Sequence, residues 1–280
     1  MAVLVRYHTD PACSASWAAE PRLRRLVVEF GESVDITYVM GGLAREFEDL
    51  AGLVMNWLDH AAEADMPVDP RIWSGDSPRS SYPACIAFKA AAEQGRDAAE
   101  RYLRALREGF MCFRRKLDAP EALVEEARRA GLDAQRFRID LESHGSLEAF
   151  GSDLERARTI SDAARDAGLA TEGSHGSALE RLQFPALSFA APGGDEIWVG
   201  GDHSYDDWSA AAIQAGATLS SEPRPDVPGA LARFGHMATA ELAAVCDLPG
   251  PRAGAEAWRL ASDWRAKRLP VLFGELWEPV

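Results

Sequence analysis

Cys13 and Ser16 stand three residues apart where an extended run gives way to a helical one, and this pair carries the strongest chemical signal in the sequence. The first turn of a helix leaves backbone N–H groups free and, with the helix dipole, favours negative charge. A cysteine at that junction is predicted to be more acidic than usual, and the thiolate is the form that attacks disulfides and forms thioethers. Ser16, one helical turn on, is placed to donate a hydrogen bond to the sulfur and favour its charged form. It reads equally as a residue filling space in a site that does no redox work. Cys85, Cys112 and Cys246 are scattered, with neither a Cys-x-x-Cys pair nor zinc-type spacing, and read as small buried hydrophobes. Cys85, in Ser-Tyr-Pro-Ala-Cys, is also a candidate distant resolving thiol. Three further residues flank the pair: His8 as a base or a solvated histidine, Asp10 as a partner of the thiol or a turn residue before Pro11, and Trp17 as site lining or core. The sequence holds no Gly-rich phosphate loop, no His-Glu-x-x-His and no nucleophile-elbow serine.

Such a pair needs a strand to end and a helix to begin at one place, and the flanking sequence supplies both. Residues 2–7 alternate as a strand that Thr9-Asp10-Pro11 must stop, since proline has no N–H to give a ladder. From Ser14, Trp17, Leu23, Leu26, Val27 and Phe30 recur at helical spacing, with a local kink at Pro21 and a stop at Gly31. Residues 34–40 alternate again as a strand, broken by Gly41-Gly42. Residues 43–170 then turn to helical periods; Asp118-Ala119-Pro120 marks one helix start with Asp118 as cap, and Gly131 the stop. Two apolar runs around Pro192-Gly193-Gly194 predict a β-hairpin, followed by a helix over 205–215. A Pro-rich linker is predicted over 222–229, then helices near Thr239 and Trp258 and a strand over 270–273. The expected organisation is an α/β domain from 1–42 and 171–222, a helical insertion over 43–170, and a helix-turn-helix-like extension over 223–280.

With 280 residues and 47% hydrophobic content, the chain can bury one large core or two modest ones. Thirty basic residues against 44 acidic ones give a net charge of −14, opposite in sign to the footprint of a phosphate-backbone binder. Nucleic acid is therefore not expected as the main partner, although the helical pair of the extension shares its outline with DNA-binding winged helices. No run reaches a signal-peptide core or the roughly 18 apolar residues of a spanning helix, so a soluble, cytoplasmic protein is expected.

The segments Asp10-Pro11-Ala12-Cys13-Ser14-Ala15-Ser16-Trp17 with Glu20-Pro21, Tyr38-Val39-Met40-Gly41-Gly42-Leu43, Ser81-Tyr82-Pro83-Ala84-Cys85 and Phe184-Pro185-Ala186-Leu187 together resemble the DsbA family of thioredoxin-like proteins. Within it they are most similar to the cytoplasmic branch of FrnE and the YjbH-type protease adaptors. The resemblance implies a thioredoxin-like fold with a large helical insertion. It makes Cys13 the attacking thiol and puts Ser16 where the second cysteine would stand. It also makes Pro185 the cis-proline opposite the cysteine and Phe184 a wall of the pocket, with Asp10, Ala12 and Trp17 on the binding side. A dithiol exchange needs the second thiol to release product, so the implied activity is a monothiol oxidoreductase or a thiol-dependent transferase or isomerase. That activity would use no bound cofactor and a low-molecular-weight thiol as co-substrate. The alternative the resemblance carries is a non-catalytic adaptor that holds a protein partner.

Overall fold

Side chains of residues 3–7 alternate between full and partial burial in strand β1 (Val3–Thr9), with Val3, Val5 and Tyr7 buried on one face and His8 and Thr9 buried as well at its end. The computed structural model describes residues 2–172 and 180–280. Beyond the turn at Pro11 come α1 (Ser14–Ala18) and α2 (Glu20–Phe30). The single kinked helix expected here is thus two short ones, because Pro21 sits in the first turn of α2, where its missing N–H costs nothing. Helix α2 buries Leu23, Leu26 and Phe30 against the sheet, and ends at Gly31 with φ of 49°, a conformation glycine adopts freely. Strand β2 (Val34–Met40) lies parallel to β1, in register from Val3↔Val34 to Thr9↔Met40.

Seven helices then depart from the sheet: α3 (Leu50–Ala64), α4 (Tyr82–Ala92), α5 (Arg96–Met111), α6 (Pro120–Arg129), α7 (Ala134–Leu141), α8 (His144–Arg158) and α9 (Asp162–Asp166). They enclose a core of their own around Trp57, Trp73, Tyr102, Phe110 and Phe137. Gly131 ends α6 at φ 75°, as its position implied. The cap of that helix differs from expectation. Ala119 holds the position without a side-chain bond, while the Asp118 carboxylate takes the Arg79 N–H at 2.7 Å and ties two loops instead.

The chain returns through β3 (Ala170–Thr171) and β4 (Arg181–Leu182), a two-stranded ladder too short for periodicity to reveal. Residues 173–179, inside the range expected for the second half of the α/β domain, lie outside the described residues. The predicted hairpin is β5 (Ala186–Ala190) and β6 (Ile197–Gly200), which completes a mixed sheet in the order β2-β1-β5-β6. Helix α10 (Tyr205–Gln214) follows within the range predicted for it and buries Trp208 against the sheet.

The C-terminal part contains α11 (Val227–Phe234), β7 (Met237–Ala238), α12 (Thr239–Cys246), α13 (Gly250–Ser262), β8 (Ala266–Pro270) and β9 (Glu275–Pro279), with the sheet ordered β7-β9-β8. Two expectations are corrected here. The last three residues of the expected Pro-rich linker, 227–229, are the start of α11: Asp226 caps it by accepting the Gly229 N–H at 2.9 Å, and Pro228 occupies a first-turn position where proline is tolerated. The strand expected over 270–273 is instead mostly the turn between β8 and β9. The module's core, around Leu231, Leu242, Val245, Leu260 and Trp277, also takes in Val28 from the outer side of α2. Glu241 of α12 accepts two hydrogen bonds from Arg104 of α5 and pairs with Arg24 of α2 at 3.1 Å, fixing the module to both other parts. At the tip of the β8–β9 turn, Phe273 and Val68 exchange both backbone hydrogen bonds, at 3.0 and 3.1 Å. No helix among the described residues is long and apolar enough to cross a membrane.

Candidate functional site

The turn joining β1 to α1 is shaped by one buried carboxyl. Asp10 Oδ1 accepts the Ala12 N–H at 2.8 Å, which folds the turn locally. Oδ2 takes the Leu43 N–H at 2.6 Å, the Ser81 hydroxyl at 2.7 Å and the Cys85 thiol at 3.3 Å. None of these hydrogen bonds goes to the Cys13 sulfur, on which Asp10 acts only through its charge. It binds the turn to the exit of β2 and to the start of α4, with Ala12 buried beneath it. Cys85, its thiol bonded to Asp10 and pushed well up in pKa by burial, is not available as a resolving thiol.

Cys13 caps α1 with its side chain. Its sulfur accepts the Ser16 N–H at 3.4 Å and lies 3.8 Å from the Phe184 carbonyl oxygen, to which the thiol donates. The Phe184–Pro185 bond is cis, as the resemblance implied, and brings that carbonyl over the cysteine. Two glycines make room for it. A Cβ on Gly41 would meet the Phe184 ring at 1.9 Å, and one on Gly201 would meet Pro185 at 2.2 Å. In the sequence Gly41 registered only as a strand breaker; its actual role is clearance.

The expected acidic thiol is not found. Cys13 is 5% exposed, and burial pushes its pKa above the ordinary value; the Ser16 side chain and N–H pull it back in part, Asp10 adds to the rise and Arg181 opposes it. The reason lies in the local structure: a five-residue helix aligns few peptide dipoles, and a sulfur shut from water loses more in solvation than one N–H bond returns. Ser16 also differs from the simple reading. Its hydroxyl oxygen accepts from Thr9 Oγ1 at 2.8 Å, and Thr9 in turn accepts from Arg107 Nη2 at 2.6 Å. Neither Thr9 nor Arg107 gave any sign in the sequence, Arg107 lying some 90 residues downstream on α5.

Trp17 belongs to the insertion's core rather than to the cleft. It is 1% exposed, donates to the Pro67 carbonyl at 2.9 Å and lies under the Arg104 guanidinium. His8 is neither solvated nor placed as a base: it is 1% exposed, its ring 5.4 Å from that of Trp198, with neither ring nitrogen hydrogen-bonded among the described residues. Burial, helped by Arg156 and Arg6, pushes its pKa down to about 3. An unfolded chain takes up this proton below about pH 6.5, whereas the folded one resists until about pH 3, so the stability His8 confers is present above pH 6.5 and falls as pH drops through that window. At pH 5 the linkage costs about 2 kcal/mol, or about 4–8 °C in Tm. Thermal melts at pH 7 and pH 5 should show this acid loss shrinking in His8→Leu; parallel losses in the two proteins would exclude it.

Residues 7–161 match a family model described as thioredoxin. Nearly the whole chain is similar to the ClpXP adapter protein SpxH of Halalkalibacterium halodurans, at 28% identity over 284 residues, covering 96% of this chain and 86% of that protein. The SpxH of Bacillus subtilis aligns at 25% identity with the same coverage. Among solved structures, the cytosolic disulfide reductase DsbM of Pseudomonas aeruginosa superposes with a TM-score of 0.56 at 17% identity, covering 75% of this chain and 97% of that one.

Proposed function

The chain belongs to the thioredoxin family, and on that premise we propose that it works as a protein-binding adaptor, presenting a client protein to a ClpXP-type protease. The observation that carries this reading is the state of the thiol site. Ser16 occupies the resolving position, Cys85 is bonded to Asp10, and Cys13 is shut from solvent with its pKa raised. A disulfide donor needs an accessible thiolate and a second thiol to release its product, and this arrangement favours neither. The likeness to the SpxH adapters extends over 96% of the chain, so it includes the insertion and the C-terminal module as well as the thioredoxin part. That extent supports the whole chain acting as one binding body. Surface-immobilised ClpX of the same organism should bind the purified protein, and Cys13→Ser should bind equally well. No binding by the wild-type chain, or loss of binding in a folded Cys13→Ser variant, overturns the proposal.

A second reading rests on the contact between the Cys13 sulfur, the Ser16 N–H and the cis Phe184–Pro185 carbonyl. In it, the Cys13 thiolate attacks a low-molecular-weight disulfide, one new S–S bond forms on Cys13, and the other half leaves as a thiolate that picks up a proton. Intact mass after incubation with oxidised glutathione reads this directly: one adduct mapped to Cys13 supports it, and an unmodified chain removes it.

A further inference from the structure

We propose that the cleft between α2, α5, α6 and the end of α11 is a second binding site, which takes an extended segment of a client protein whose carboxylates alternate with apolar side chains. The cleft holds about 960 Å³ and is open to solvent rather than closed over. That volume lies at the upper end of the roughly 300–1,000 Å³ of small-molecule sites, and an open trough of this size suits a chain segment better than a metabolite that must be enclosed. All three parts of the chain build it: Leu23 and Val27 come from α2, Arg101 from α5 and Phe234 from the C-terminal module. Cys13, Phe184 and Pro185 do not line it, so it is separate from the thiol site. That the segment belongs to a client rests on the adaptor reading.

The charge of the cleft runs against that of the chain. The protein carries a net −14, yet seven arginines line the cleft against five carboxylates. The inner cations are engaged by the fold: Arg24, Arg104 and Arg107 pair with Glu20, and Arg115 with Glu126. Two exposed ones are not. Arg101 gives only its Nε–H, to the Ala130 carbonyl at 3.3 Å, and Arg233 lies over the Phe234 ring, 5.1 Å from its centre. Neither has a carboxylate within ion-pairing distance among the described residues. Stacking uses the flat face of a guanidinium and leaves free the N–H edge, which grips a carboxylate through two hydrogen bonds. Phe113 and Phe234, both half-buried, add apolar surface to the same walls. Asp97 and Glu100 line the cleft as well, so its charge is mixed. A uniformly charged phosphate backbone would meet both, on top of the field of an acidic chain. A peptide with spaced carboxylates can set each against an arginine and its apolar side chains against the rings.

The test is fluorescence anisotropy at low salt, with the full chain and a short fluorescein-labelled peptide alternating Glu and Leu. The peptide should bind, and its counterpart with Gln in place of Glu should bind about tenfold more weakly. Arg101→Glu combined with Arg233→Glu should weaken the Glu peptide by about tenfold and bring it level with the Gln peptide, and added salt should weaken it in wild type. Both side chains are exposed and make no ion pair, so the variant should melt with the wild type; should it not, Arg101→Gln with Arg233→Gln carries the test. A benzophenone group on the peptide should crosslink within residues 101–115 or 233–236. The proposal is overturned by equal affinity for the two peptides, by an unchanged affinity in the folded double variant, or by crosslinks confined to other segments. A single-stranded oligothymidylate that binds as tightly and is lost in the same variant overturns it too. A wild-type chain that binds ClpX but not the Glu peptide removes this proposal and leaves the adaptor reading, while one that binds the Glu peptide through Arg101 and Arg233 but not ClpX removes the adaptor reading and leaves the cleft.

Discussion

Asp10→Ala lowers the unfolding free energy by about 3–5 kcal/mol, the cost of breaking a fully buried polar network. The carboxyl accepts from two backbone N–H groups, one hydroxyl and one thiol, and is itself fully buried. Each donor stranded without water costs on the order of 1–3 kcal/mol, and partial relaxation keeps the total below the simple sum. The loss should be local before it is global. Residues 10–13, 43–44 and 81 become exchange-labile together, because one side chain ties the cysteine turn, the exit of β2 and the start of α4. Asp10→Asn should fall between the two, since its amide keeps an acceptor on one side and points N–H groups at donors on the other. Equilibrium denaturation with hydrogen exchange checks both points. A loss under about 1 kcal/mol in Asp10→Ala would mean that the turn holds its shape through backbone bonds alone.

Glu241→Ala should have an effect of the same order, confined to a different boundary. This carboxylate has no solvent exposure and meets Arg104 at 2.7 and 3.0 Å, Arg24 at 3.1 Å and the Ala238 N–H at 2.7 Å. Its removal leaves two buried guanidinium groups sharing Glu20 and Glu108, and breaking a buried pair from one side costs about 3–5 kcal/mol. The C-terminal module should lose exchange protection in β7, α12 and β9, while β1 and β2 keep theirs. Uniform loss across the chain, or none, would mean that the apolar contact with Val28 carries the docking by itself.

What the sequence made legible was the part ruled by local periodicity. The alternation of Val34–Met40, the helical spacing after Ser14 and the breaks at Pro11 and Gly131 each act within a few residues, and the structure follows them. The cis-proline facing Cys13 came from the resemblance rather than from any period. The missed features depend on residues distant in the chain. Cys13 loses its expected acidity through desolvation, a property of everything packed around it. Asp10 gathers donors from residues 43, 81 and 85, and Arg107 reaches Thr9 across 98 positions. The linker misreading at 222–229 has a local cause: proline and glycine weigh against helix everywhere except in its first turn, which is where Pro228 and Gly229 fall.

The backbone exchange between Phe273 and Val68 has a consequence for the winged-helix outline of the C-terminal module. In DNA-binding proteins of that outline the β-hairpin is a free wing that reaches alongside the double helix. Here the hairpin tip has already given its donor and its acceptor to Val68 of the insertion, in addition to the Glu241 ion pairs. With the tip paired to Val68 and Glu241 bound to Arg24 and Arg104, the hairpin is not free to lie along a double helix, and the module serves the rest of the chain as a brace.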